Sequence, residues 1–268
     1  MSTNERYLGS PRITQAIREI KSTYGDDVSV AAKGKSLLKF GKSASLVADT
    51  KETVWTVGGD ETYLDDNLIT HVVSSSVSDT QSVILEGHTV SGTGTDQKFT
   101  FVVQEVTLNG QTPVALATPL ARNSRAYNQS STNLLGRVSF YEGTSAVSGG
   151  VPSSAEKIHL DIVAGDQGTH KAATTFSDSD YGILSLAFGS LSKKQITTAD
   201  FFFEVKRPGG VFRELYSVGC SNGFWSTEFD PYAIIPRNCD VRIRVEAADT
   251  GSVVFANMGF YLAKVVST

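Results

Sequence analysis

The chain reads as mainly β: two antiparallel β-sandwich, jelly-roll-like domains behind an N-terminal arm that carries one short helix. Three observations predict this. Val241, Ile243 and Val245 alternate with Arg242, Arg244 and Glu246, the period of a strand with one buried and one wet face. Apolar runs of strand length recur down the chain, separated by turn residues such as Pro208-Gly209-Gly210 and Pro236-Arg237-Asn238. The apolar content of 40% is enough for a packed core, and 268 residues suffice for two modest all-β units.

Residues 1–57 form the arm. Ser10-Pro11, followed by Ile13, Ala16, Ile17 and Ile20 on one face, predicts an amphipathic helix over 11–23 with Ser10 as N-cap and Gly25 as its stop. About three turns of helix are marginal alone in water, so the stripe needs a surface to cover it. Ile13, Ile17 and Ile20 are therefore candidate interface residues, docking on a partner or on this chain's own body. From 26 to 57 the text is mostly loop with short β pieces.

Residues 58–142 predict the first β-sandwich domain, with strands at Ile69–Ser74, 82–89, 98–108 and 137–141. The tip Ser91-Gly92-Thr93-Gly94-Thr95-Asp96 joins two of them, and Asn109-Gly110 signals a further hairpin. Residues 143–155 are Gly/Ser-rich, a linker or a hairpin tip. The second β-sandwich domain, 156–268, opens with the alternating segment from Lys157 to Val163. It continues through 201–207, 211–218, 239–247, 253–256 and 259–266.

Charged residues make up 19% of the chain and the net charge is −4, without the basic patch that sequence-independent nucleic-acid binding needs. No apolar run approaches the ~18 residues of a membrane span. No apolar segment of the secretory type follows the N-terminus, so folding in a cytoplasm is expected. Cys220 and Cys239 lie on segments that could be neighbours, but two buried free thiols are the simpler reading.

The chemistry-bearing motifs are incomplete. Gly34-Lys35-Ser36 and Gly41-Lys42-Ser43 echo the end of a phosphate-binding loop, but the required upstream glycine is Ser29 in one and Ser36 in the other; both read as basic loop residues. Gly92-Thr93-Gly94 lacks the third glycine of a dinucleotide loop. His71, His88, His159 and His170 are scattered, with no metal-ligand spacing. Asp65-Asp66, and Asp178 with Asp180, have too few oxygens for a calcium site and read as solvated turns. No catalytic, cofactor-binding or metal-binding residue is assigned. Three further interface candidates, Arg122, Arg125 and Tyr127, follow the Pro119 turn. Phe224-Trp225 sits beside Gly223 in turn-like text and could anchor a contact.

Several strings resemble the virion structural proteins of tailed phages, particularly marine ones. They are Gly34 to Lys42, Glu52-Thr53-Val54-Trp55 with Gly58-Gly59, Val72 to Thr80, Val83 to Gly87, Gln104 to Gly110, Arg122 to Tyr127, Val205 to Arg213 and Ile235 to Arg244. The similarity spans roughly residues 34–266. It implies a non-enzymatic, cofactor-free part of the virion, assembled in the host cytoplasm. The role it points to is a head decoration (cement) protein that binds the major capsid protein and itself, as a homotrimer, without touching nucleic acid or membrane. A tail, neck or fibre component, or a carbohydrate-binding β-sandwich module, are the alternatives.

Overall fold

The structure, a computed structural model, describes residues 11–30, 36–192 and 197–266. Strands take up 57% of the chain and helices 8%, so the mainly β class holds. The helix α1 runs Pro11–Tyr24. It ends where expected: Gly25 adopts φ 74°, and its N–H donates to the Lys21 carbonyl at 3.0 Å, a left-handed cap that glycine takes without strain. The expected N-cap, Ser10, lies outside the described residues, as do Gly34 and Lys35.

The strands in chain order are β1 (Val28–Val30), β2 (Ser36–Ser43), β3 (Lys51–Thr53), β4 (Ile69–Ser74), β5 (Ser82–Ser91), β6 (Lys98–Thr107), β7 (Val114–Leu120) and β8 (Arg122–Asn128). Then come β9 (Val138–Glu142), β10 (Val147–Ser148), β11 (Val151–Pro152), β12 (Ile158–Ile162), β13 (Ala173–Thr175) and β14 (Asp180–Ser192). The last five are β15 (Thr198–Lys206), β16 (Arg213–Ser221), β17 (Gly223–Ile235), β18 (Asp240–Ala247) and β19 (Val253–Val265). Every pairing between these strands is antiparallel.

One sandwich faces the sheet β12-β9-β4-β7 with the sheet β6-β5-β8. Its core holds Ile69, Val72, Val83, Leu85, Leu120, Phe140 and Ile162. The other faces β2-β19-β14-β17 with β13-β18-β15-β16, around Phe176, Phe201, Phe203, Val241, Ile243, Met258 and Phe260. In this second sandwich β1 and β2 lie end to end along β19, and β3 and β13 lie end to end along β18. Each sheet thus has four strand positions, and their order is that of an eight-stranded, two-Greek-key jelly roll.

This arrangement corrects the expected boundaries. The strands before residue 58 are not an arm: β1, β2 and β3 are members of the jelly-roll sheets. The segment expected to open the second unit, β12, pairs with β9 of the first. The first sandwich is therefore inserted between β3 and β13, two pieces of one strand position. Residues 143–155 form the tip of the β9–β12 hairpin, carrying the β10–β11 ladder. The Asn109-Gly110 turn forms, with Thr112 N–H donating to the Asn109 carbonyl at 3.0 Å. Yet β6 and β7 on its two sides belong to different sheets, so it is a corner and not a paired hairpin.

Gly41 lies in β2 and not in a loop. A Cβ there would meet the Val54 carbonyl at 2.1 Å and the Ala172 nitrogen at 2.5 Å. Close packing of two backbones accounts for this glycine without any phosphate. Pro231 falls in β17, an edge strand where a missing N–H is tolerated, at the irregularity between Leu184 and Leu186 of its partner β14.

The two sandwiches meet across a polar seam. Arg122 of β8 forms a two-pronged pair with Asp240 of β18, Nε to Oδ1 at 2.9 Å and Nη2 to Oδ2 at 3.0 Å. Thr175 Oγ1 donates to the same carboxylate at 2.7 Å. The Arg122 guanidinium also lies 4.9 Å from the Tyr63 ring and 5.0 Å from the Phe99 ring. Nearby, Glu204 accepts from Arg242 and Arg244, and Arg242 stacks on Phe212 at 3.8 Å. Burial opposes the Glu204 charge, but its two arginine partners outweigh it and hold the carboxyl below its usual range.

Candidate interaction surface

The outer face of β6-β5-β8 is covered by the fold only in part. At one end the jelly roll sits on it, burying Val90, Phe99 and Ala121 as a small cluster. Beyond that, the face opens. Phe101 and Val103 of β6 are 49% and 55% exposed. Val103 pairs in register with Glu86, and Glu86 in turn pairs with Arg125 of β8. Ile84 pairs with Tyr127. The Arg125 guanidinium stands 4.8 Å from the Tyr127 ring and 3.9 Å from Glu86. The result is an apolar strip of Phe101, Val103 and Ile84, flanked by a stacked Arg–Tyr pair, on the side of an edge strand.

A cavity of about 330 Å³ opens where this face meets the jelly roll, lined in part by Leu37, Lys39, His88, Phe101, Phe176 and Leu262. Lys39 and His88 are buried in its wall. Lys39 Nζ donates to the Ser124 carbonyl at 3.0 Å. Burial lowers its pKa to about 8 despite the opposing pull of Glu86. Burial likewise lowers His88 to about 3, so its ring is neutral at physiological pH, packed 5.3 Å from Phe101. His88 Nδ1 and Ser124 Oγ have no hydrogen-bond partner among the described residues. Glu86, Asp180 and Lys264 bring charge to the same cavity, and Lys264 Nζ lies 3.1 Å from Asp180 Oδ1.

Of the residues singled out from the sequence, Arg125 and Tyr127 do share this face. Phe224 is exposed on β17, 68% open, with its ring 6.2 Å from Phe188. Three others are corrected. Arg122 is buried in the seam, where Asp240 takes its charge. Trp225 packs inward, 5.1 Å from Phe201. Ile20 is buried against Tyr181, Ile183 and Ala263, so the helix uses this chain's own jelly roll as cover. Ile13 and Ile17 are half-buried on the same helix.

Phe101 and Val103 were missed from the sequence, although a signal was there. Phe99 to Val103 is apolar on both faces of β6, which in an antiparallel sheet means that both faces are covered. Here the open end of the outer face is not. The cysteines are free, Cys239 buried and Cys220 half-buried. Among the described residues no three His, Cys, Asp or Glu side chains are placed to hold a metal ion, and no helix is long and apolar enough to cross a membrane.

No family model matches this chain, and no curated protein matches it. Among solved structures, the infectious bursal disease virus Gt strain is 7% identical over 94% of this chain and 83% of that one, with a TM-score of 0.14. The VP2 subviral particle of infectious bursal disease virus is 9% identical over 97% and 83%, with the same TM-score of 0.14. A TM-score of 0.14 is no better than unrelated chains give, so neither match bears on fold or function.

Proposed function

We propose that this chain is a non-enzymatic structural protein of a virion, a head decoration protein that binds the shell through the open face of β6-β5-β8. The observation that carries the reading is the partly covered outer face of an inserted sandwich, held rigidly on a jelly roll by a buried polar seam. Jelly rolls serve in capsids and lectins alike, so the fold by itself does not select a role. An exposed apolar strip flanked by Arg125 and Tyr127 has the make-up of a protein contact. The resemblance of the sequence to phage virion proteins supports the same role, with the major capsid protein as partner and a homotrimer as the assembled form. The test is to purify particles, count copies of this chain and locate it by labelled electron microscopy. Hundreds of copies on the head support the reading; a small multiple at the tail or neck overturns it.

A second reading has an observation of its own. The exposed Phe101 ring borders a cavity that also offers Glu86, Asp180 and Lys264, which is the mix of aromatic face and polar groups that a sugar ring requires. Binding of host glycans by the isolated protein, abolished in Phe101→Ala, would favour it over decoration.

A further inference from the structure

The outer face of the jelly-roll sheet β2-β19-β14-β17 is covered at one end and open at the other, and the ladder registers lay it out as a grid. In the middle row Phe40 stands opposite Asn257, Asn257 opposite Phe188, and Phe188 opposite Ser226. In the row on one side Lys42 stands opposite Phe255, Phe255 opposite Ser190, and Ser190 opposite Phe224. In the row on the other side the order is Leu38, Gly259, Leu186 and Glu228. These rows point outward, because the alternate residues Ala187, Trp225, Ala256 and Met258 lie in the core. One phenylalanine from each strand therefore zigzags across the whole sheet, with Phe40 5.9 Å from Phe255 and Phe188 6.2 Å from Phe224. Leu38 is 60% exposed and Phe224 68%. Two residues along β19 from Gly259, Tyr261 stands opposite Ile183 beneath α1. The chain's own helix thus covers one end of this apolar face, and among the described residues nothing covers the phenylalanine end. An apolar surface that continues past its cover marks a contact site.

We propose that this open face is a two-fold contact between two copies of the chain, packed with their strands crossed. Charge decides for a second copy. Three rows over four strand positions measure about 14 Å across the strands and about 13 Å along them, so the face is nearly square. Lys42 and Glu228 stand at opposite corners, Leu38 and Phe224 at the other two. Among the described residues neither Lys42 nor Glu228 makes an ion pair. A two-fold axis along the diagonal from Leu38 to Phe224 lays the strands of one copy at about a right angle to those of the other, one of the two ways in which sheets stack. It brings Lys42 of each copy to Glu228 of the other, and it sets Leu38 on Leu38 and Phe224 on Phe224. The other axes do worse. One along or across the strands presses both charges onto Leu38 and Phe224, and one along the second diagonal sets like charges together. The contact then has an aromatic centre and charged pairs at its rim, the make-up of a protein interface. It is a property of the free chain, so it does not rest on the virion reading, and a two-fold contact is separate from the homotrimer of that reading.

Sedimentation velocity of the full chain over a wide range of concentration tests this. The expected result is an equilibrium between monomer and dimer. Phe224→Glu should weaken the dimer about tenfold or more, with the thermal midpoint unchanged because the ring is exposed. Lys42→Glu should weaken it as well, and Lys42→Glu combined with Glu228→Lys should restore it, a recovery that a merely structural role for either residue would not produce. The charge swap decides the matter even if Phe224→Glu fails to fold. A chain that stays monomeric at every concentration overturns the proposal, including one whose face instead takes a glycan or another virion protein. So does a double swap that fails to restore the dimer. A dimer or trimer that Phe224→Glu leaves intact also overturns it; such a trimer would leave the decoration reading standing, which copy number in particles tests separately.

Discussion

Arg122 and Asp240 are 118 positions apart in sequence, yet they meet as a two-pronged ion pair that is all but closed to solvent. Burial alone would work against the arginine charge; Asp240 reverses that and raises the pKa above its ordinary value. The pair fixes the angle between the two sandwiches because each partner is rooted in a different one.

Removing one member of this pair leaves an unpaired buried charge. Arg122→Ala and Asp240→Ala should each lower stability by about 3–5 kcal/mol, whereas the double change to apolar residues of similar size should cost far less. Urea unfolding of the three variants checks this, and equal losses in all three would mean that packing, not charge, holds the joint.

His88 sets an acid limit. Its pKa of about 3 in the folded chain lies below the ordinary 6.5, so the unfolded chain takes up a proton that the folded chain refuses. The contribution is fully present above pH 6.5 and is lost as pH falls toward 3, a change on the order of 4 kcal/mol. Stability followed against pH should drop across that window, and His88→Gln should flatten the slope. An unchanged slope in the variant would place the acid sensitivity elsewhere.

The helix belongs to the body of the protein. Ile20→Ala should cost the isolated chain about 3 kcal/mol, because Ile20 is buried between α1 and the jelly roll. Thermal unfolding measures it. A normal midpoint combined with poor entry into particles would instead make α1 an attachment element.

On the open face, Val103→Asp should change stability by no more than about 0.5 kcal/mol, since the side chain is exposed. If this face docks on a shell, incorporation into particles should fall about tenfold or more, the equivalent of one lost contact of ~1.4 kcal/mol. Copy number by quantitative gel or mass spectrometry reads the outcome.

Much of the secondary structure was legible in the sequence. β18 follows from alternation, β4 from a strand-length segment bounded by turn residues, and α1 from its spacing, its proline and Gly25. Polar β8 was not legible: Arg-Asn-Ser-Arg-Ala-Tyr-Asn reads as surface, yet its first three residues are buried by the seam. Nor was β17, where Pro231 argues against a strand that an edge position allows. In the candidate site, Arg125 and Tyr127 were found because they stand out locally, while Phe101 and Val103 looked like core.

The mainly β class, the helix and the turn positions depend on backbone geometry and side-chain period over adjacent residues, and so could be read before any fold was known. That β3 and β13 share one strand position, that β12 pairs with β9, and that Arg122, Trp225 and Ile20 face inward came from the assembled fold. Those outcomes rest on ladder hydrogen bonds and on neighbours that in several cases lie more than a hundred residues away in the chain, and no local pattern records which distant segment will supply them.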